Sequence, residues 1–347
     1  MNLRPGSHHA LAAIALAWLT QLGLAQELST SRQLPRDRYR NGEGTLRAFA
    51  PISAATRHSI VKFNVDGATV ALGAVVDANG LALTKASELK QGKLTCWLAT
   101  EKEVGAEVIG IDEDEDVALV RVRARGLKPI SWTEGAVAVG QWAITPGISE
   151  TPHAAGIVSA LPRRIRPPRA LIGVQFDYGI VEPRIDLILP GLGAEKAGLQ
   201  PADLILAING MAVTNREQVV ETLREFREGQ TVRLRVQRAE QQFDSQVRMM
   251  VPRSGQPGAE LYYQQRNSRL GGAVSERAGG FELAIEHDSV LRPWLCGGPL
   301  VDLDGKAIGL NIARAGRITT YALPTALVKR VYEQLKLTAN GAATTGK

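Results

Sequence analysis

The chain has 347 residues, 44% of them hydrophobic, enough to bury one large core or two ordinary ones, and its net charge of +6 is only modestly basic. Its densest basic run, Arg163, Arg164, Arg166 and Arg169, is interleaved with prolines and lacks aromatic neighbours, the composition of a solvated linker rather than of a nucleic-acid surface. Cys96 and Cys296 are the only cysteines; an oxidising compartment would allow them to pair, and the sequence leaves that open.

Residues 1–25 place Arg4 ahead of an apolar run and end in small residues before Gln26, the parts of a cleaved signal peptide. The run is shorter than the roughly 20 apolar residues of a membrane span. The mature chain is therefore expected to be periplasmic or secreted, with no membrane anchor after cleavage. Residues 26–56 are polar and without sustained periodicity and read as a flexible lead-in.

From residue 59 the pattern changes. Val61, Phe63 and Val65 alternate with Lys62 and Asn64, the period of a half-buried strand. Further short strands are expected at 70–76, 81–84, 93–99, 103–111 and 117–122, with Asn79-Gly80 favouring a tight hairpin between the first two of these. Strands at this spacing, separated by turn residues, argue for a barrel. The segments 136–145 and 155–161 open a second set. Near the other end, Cys296-Gly297-Gly298-Pro299-Leu300 sets a thiol on a glycine-bounded turn, followed by strand, Asp304-Gly305 turn and strand.

Three stretches carry a family resemblance. Asp288, Leu291, Pro293, Gly297, Gly298, Pro299 and Leu300 fall in register with the nucleophile loop of the trypsin-fold HtrA proteases; residues 73–84 follow that family's first-barrel pattern, and Gly156-Ile157-Val158-Ser159-Ala160-Leu161 repeats its second-barrel strand. Residues 191–210 resemble a PDZ domain, with Ala202 in place of one glycine. The resemblance implies a mainly β chain: a trypsin-like double six-stranded β-barrel over 57–165 and 281–337, with a PDZ domain at 168–252 inserted in the second barrel. A linker at 253–280 returns to the barrel, a helix starts at Pro324, and 338–347 is expected to be disordered.

In the same register Ser87 stands at the position of the family's general-base histidine, Asp116 at that of the triad aspartate and Cys296 at that of the nucleophilic serine. Hydrolysis on this fold needs a nucleophile, a base in reach of it, a group orienting the base and amides aimed at the oxyanion. A serine hydroxyl cannot act as that base. After signal cleavage only His58, His153 and His287 remain. Trp294 replaces the family glycine of the oxyanion loop, Trp294-Leu295-Cys296, and brings a bulky ring to it.

The reading is therefore of a pseudoprotease: a scaffold or regulator in protein quality control that binds peptides or protein C-termini through its PDZ domain. Leu171, Ile172, Gly173 and Val174 correspond to the loop that holds a terminal carboxylate, and Val219 and Leu223 to the helix facing the peptide. The alternative is an active endopeptidase with Cys296 as nucleophile. No metal, cofactor or nucleic acid is expected, and the resemblance allows a homo-oligomer formed through residues 26–56.

Overall fold

A computed structural model describes residues 35–253 and 256–344; the expected signal peptide lies outside them. Residues up to Thr45 form a unit of their own, whose described part holds a 3-10 turn at Arg36–Arg38 and the beginning of helix α1 (Glu43–Arg47).

In the larger unit, β1 (Ile60–Val65), β2 (Ala68–Asp77), β3 (Leu81–Lys85), β4 (Leu94–Leu98), β5 (Glu103–Asp112) and β6 (Val117–Val122) close a barrel in the order β1-β2-β3-β6-β5-β4. Its interior takes the apolar face of each strand, Val61, Phe63, Val75, Ala82 and Val120 among them, and Cys96 sits there as a small apolar residue. The β2–β3 hairpin turns through Gly80 at φ +102°, where a side chain would strike the carbonyls of Val122 and Ala124.

The second barrel is built from both ends of the remaining chain. β7 (Trp142–Thr145) and β8 (Ala154–Arg163) are joined by β15 (Ala284–His287), β16 (Pro299–Val301), β17 (Ala307–Arg314) and β18 (Thr320–Pro324), closed in the order β15-β18-β17-β16-β7-β8. β8 pairs directly with β15, so the residues between them form an insertion whose two ends are tied by the barrel itself. One core cluster runs through both barrels, joining Leu83 and Leu119 to Ile144, Leu310 and Leu323.

The insertion has a separate core. β9 (Val174–Phe176) pairs with β10 (Ile185–Ile188), and β11 (Leu204–Ile208), β12 (Met211–Ala212), β13 (Thr231–Arg238) and β14 (Gln241–Arg248) make a four-stranded sheet in the order β12-β11-β13-β14. A short helix α3 (Gly193–Lys196) and helix α4 (Arg216–Leu223) pack on them through Ala194, Val219 and Leu223. Asn215 caps α4 by accepting the amide of Gln218 at 2.9 Å.

Three segments expected to be irregular are helical. Within the lead-in, α1 is followed by α2 (Ala50–Thr56); Leu46 of α1, Phe49 in the turn between them and Ile52 of α2 pack on the barrel core, with the rings of Phe49 and Trp142 5.0 Å apart. The return linker contains α5 (Ala259–Arg269), where Ala259, Tyr262, Tyr263 and Arg266 share a face and the Tyr263 hydroxyl donates to Pro252 O at 2.8 Å. The final helix α6 (Thr325–Thr344) continues past the expected disordered boundary, since each added residue extends a ladder already nucleated by the buried Leu327, Val328 and Val331. No described helix is long and apolar enough to cross a membrane.

Candidate functional site

The fold brings Ser87 and Asp116 together. Asp116 occupies the left-handed region, φ +61°, in the turn between β5 and β6, and its side chain is almost wholly buried. Its Oδ1 accepts the Ser87 amide at 2.8 Å and its Oδ2 accepts the Ser87 hydroxyl at 2.9 Å. The carboxylate thus holds Ser87 by both its backbone amide and its hydroxyl.

A third member, Lys85, was not singled out from the sequence. It ends β3, its side chain is fully buried, and Nζ lies 3.0 Å from Asp116 Oδ2 and 2.9 Å from Arg277 O. An ammonium at the close of a β-strand ordinarily reaches solvent, and only the fold shows that this one is sealed in by the segment around Arg277.

Cys296 is also sealed. Its thiol has no exposure, and Leu295, Leu291 and Ala154 pack around it. Burial pushes the thiol up to about 11, against a smaller downward pull from Lys85; Glu88 adds to the rise, and hydrogen bonds from Ser275 and the Arg314 amide oppose it. No imidazole is among the groups that set this thiol. Of the three histidines, His58 is exposed, His153 is lowered by burial and by Lys62, and His287 is buried on β15 between Val158 and Thr320. Both cysteines are free, so the pair is not bridged.

The stretch expected to form an oxyanion loop, Trp294-Leu295-Cys296, is hydrogen-bonded within itself. Pro293–Leu295 winds as a 3-10 turn in which Leu295 N donates to Arg292 O at 2.8 Å and Cys296 N to Pro293 O at 3.1 Å. The Cys296 amide is thereby spent inside the loop. The Trp294 ring, 36% exposed, lies under the Arg292 guanidinium at 5.1 Å. Beyond the loop, Gly297 at φ +94° lets the chain press on β2: a side chain there would meet Leu72 O and Thr84 Oγ1 at 2.4 Å. A groove of about 1090 Å³ runs beside the loop, lined by Glu88, Glu260, Tyr263, Glu276 and Trp294, and Cys296 does not reach it.

In the insertion, Leu171 exchanges both backbone bonds with Met250, Ile172 O accepts the Ala194 amide and Gly173 O accepts that of Leu189. Gly173 has φ +90° and a side chain on it would overlap Leu192 at 2.4 Å. The amides of Ile172 and Gly173 donate to no backbone carbonyl among the described residues. β9, which continues this loop, pairs only with β10 among the described strands, leaving its other edge without a strand. Residues 184–238 match the PDZ domain family. The PDZ core is wider than that match, running from Ala170 to Met249. Among curated proteins, none matches the chain.

The expected groove residues need one correction on the PDZ helix. Val219 is wholly buried in the core and cannot face a ligand. Arg216 reaches across to Asp177 O and Ile180 O just beyond β9, which sets the face of α4 turned toward that strand. Helical spacing places Val220 and Leu223 on the same stripe; Val220 is 43% exposed, whereas Leu223 lies at the margin of the core at 9%.

Proposed function

We propose that this chain is an exported, HtrA-like pseudoprotease that recognises peptides or protein C-termini through its PDZ domain and hydrolyses nothing. The reading rests on one contrast between two loops: the Cys296 amide is consumed by Pro293 O, while those of Ile172 and Gly173 remain for a ligand. A terminal carboxylate would be held by these two amides, with the peptide adding as a strand along β9 and its last side chain lying against Val220 and Leu223.

Against an active endopeptidase stand the chemistry and the geometry at Cys296. With a thiol at about 11, roughly one molecule in ten thousand carries the thiolate at neutral pH. Ser87 cannot take its proton. The proposed role is therefore that of a scaffold or regulator in extracytoplasmic protein quality control, with export resting on residues 1–25.

The test is a C-terminal peptide library presented to the full chain. Saturable binding that an amidated C-terminus abolishes is the expected result, accompanied by no casein turnover. An empty library screen overturns the recognition reading, and turnover lost in Cys296→Ala overturns the pseudoprotease one.

A further inference from the structure

The groove beside Trp294, about 1090 Å³, is large enough for a small molecule, the usual range being roughly 300–1,000 Å³. Its charge runs against that of the chain. Glu88, Glu260 and Glu276 line it and no lysine, arginine or histidine does, in a protein whose net charge is +6. The rings of Tyr263 and Trp294 share the wall with Val274. Acids and aromatic faces without a cation between them are the lining of a site for organic cations.

The fold sets the three carboxylates at two ends. Glu260, Tyr263 and Asn267 recur at helical spacing on α5, and from Glu260 to Asn267 the helix rises about 10 Å. Asn267 Oδ1 accepts the Val274 amide at 3.2 Å, so Glu276 belongs to the Asn267 end. Glu88 joins it there, because its carboxylate accepts the Glu276 amide. The turn carrying Glu88 is fixed: Leu89 N donates to Ala86 O at 2.9 Å, and Asp116 holds Ser87. Even so, Glu88 Oε1 is buried with no hydrogen-bond partner, a desolvated acceptor that weakens the fold until a donor meets it. Between the two ends stands Tyr263. Burial pushes its phenol up to about 12, and the charges of Glu276 and Glu88 add to the rise, so the ring lies within reach of both.

We propose that this groove binds a linear aliphatic polyamine, with one ammonium at Glu88 and Glu276, another at Glu260, and the methylene stem along Tyr263 and Trp294. An ammonium supplies the donor that Glu88 Oε1 lacks, and the rings take both a cationic head and an apolar stem. The separation of the acids asks for two charges on one chain. A metal ion does not fit, since no group of three ligating side chains among the described residues is placed to hold one. Burial also raises the Glu88 carboxyl; Lys85 opposes this, and Glu276 and Asp116 add to it. Tyr263 and Cys296, the other titrating groups that feel Glu88, keep their protons up to about 12 and about 11. An ammonium pairs with the ionised carboxylate, so affinity should climb as pH rises through the Glu88 titration. None of this depends on a ligand at the PDZ loop, which lies in a different groove.

The experiment titrates spermidine into the full chain by calorimetry, with putrescine, magnesium and Nα-acetyl-lysine amide as comparisons. Spermidine is expected to bind saturably and at least about tenfold more tightly than putrescine, whose shorter chain reaches one end of the groove only. Glu88→Gln should weaken spermidine at least about tenfold and flatten the rise of affinity with pH. Glu260→Gln, a change on the exposed side of α5, should leave the fold intact and remove the preference for spermidine over putrescine. Failure of spermidine to saturate the natural chain overturns the inference, as does displacement by an equal concentration of magnesium. Equal affinity for the lysine derivative overturns it too, since the groove would then be a pocket for a peptide side chain. Should Glu88→Gln fail to fold, Glu260→Gln decides, and an unchanged preference in that variant overturns the two-ended site.

Discussion

The ammonium of Lys85 lies 3.0 Å from Asp116 Oδ2, with 0% of the lysine side chain and 4% of the aspartate exposed. Two desolvated charges of opposite sign hold each other in place, and neither has water to fall back on. Removing one alone strands the other, at a cost of about 3–5 kcal/mol, whereas removing both together costs far less. Lys85→Met should therefore destabilise the chain strongly and Lys85→Met with Asp116→Asn should recover most of the loss. Urea unfolding of the two variants checks this; equal destabilisation by single and double changes would show that the pair is not coupled.

Both thiols are raised by burial from the ordinary 9.0, Cys296 to about 11 and Cys96 to about 12. A group that holds its proton more tightly when folded stabilises the fold fully below its unfolded pKa, and this is lost as pH climbs through the folded value. Stability should accordingly fall between about pH 9 and 12. Cys96→Ala with Cys296→Ala should flatten that part of the curve, read as unfolding midpoints at successive pH values. The same raised thiol predicts that iodoacetamide labels Cys296 in the native chain at least about 100-fold more slowly than it labels glutathione at pH 7.5.

The barrels were legible because strands of a small closed sheet must alternate, and Val61, Phe63 and Val65 do so with Lys62 and Asn64. The insertion was legible from the turn chemistry and apolar spacing of residues 191–210. The helix at Ala259–Arg269 was not, because beside the buried Ala259 its inner face carries half-buried tyrosines and an arginine stem rather than large aliphatic residues. Lys85 and Ser275 were invisible for a different reason: they are 190 residues apart, and nothing local to either marks it as buried beside the thiol. Trp294 was singled out for its bulky ring, whereas the feature only the fold reveals at Trp294-Leu295-Cys296 is a 3-10 turn that spends the Cys296 amide.

Ala202 departs from the glycine of the PDZ pattern and still adopts φ +72°. A methyl in the left-handed region costs about 1–2 kcal/mol, and glycine's extra freedom in the unfolded chain returns about 0.4–1 kcal/mol of that. Ala202→Gly should stabilise the PDZ portion by about 0.5–1 kcal/mol. Its alanine is exposed, so no packing is lost. Denaturant unfolding followed by exchange protection of β11 and β13 amides reads the effect, and a lower midpoint would mean that the positive φ is not strained.

Val219 and Val220 are neighbours on α4 with opposite duties. Val219 is wholly buried among Ile205, Ile208 and Val236, so Val219→Ala should cost about 2 kcal/mol of PDZ stability. Val220 is 43% exposed on the stripe shared with Arg216, so Val220→Asp should leave stability nearly unchanged. In binding the order reverses. A carboxylate at residue 220 would meet a peptide terminus held by the Ile172 and Gly173 amides, and like charges in a half-buried groove should weaken C-terminal peptides at least about tenfold. Val219→Ala, measured where the domain remains folded, should change affinity little. Calorimetric titration of both variants against one peptide from the library separates the two roles, and equal weakening by both would place the ligand somewhere other than between β9 and α4.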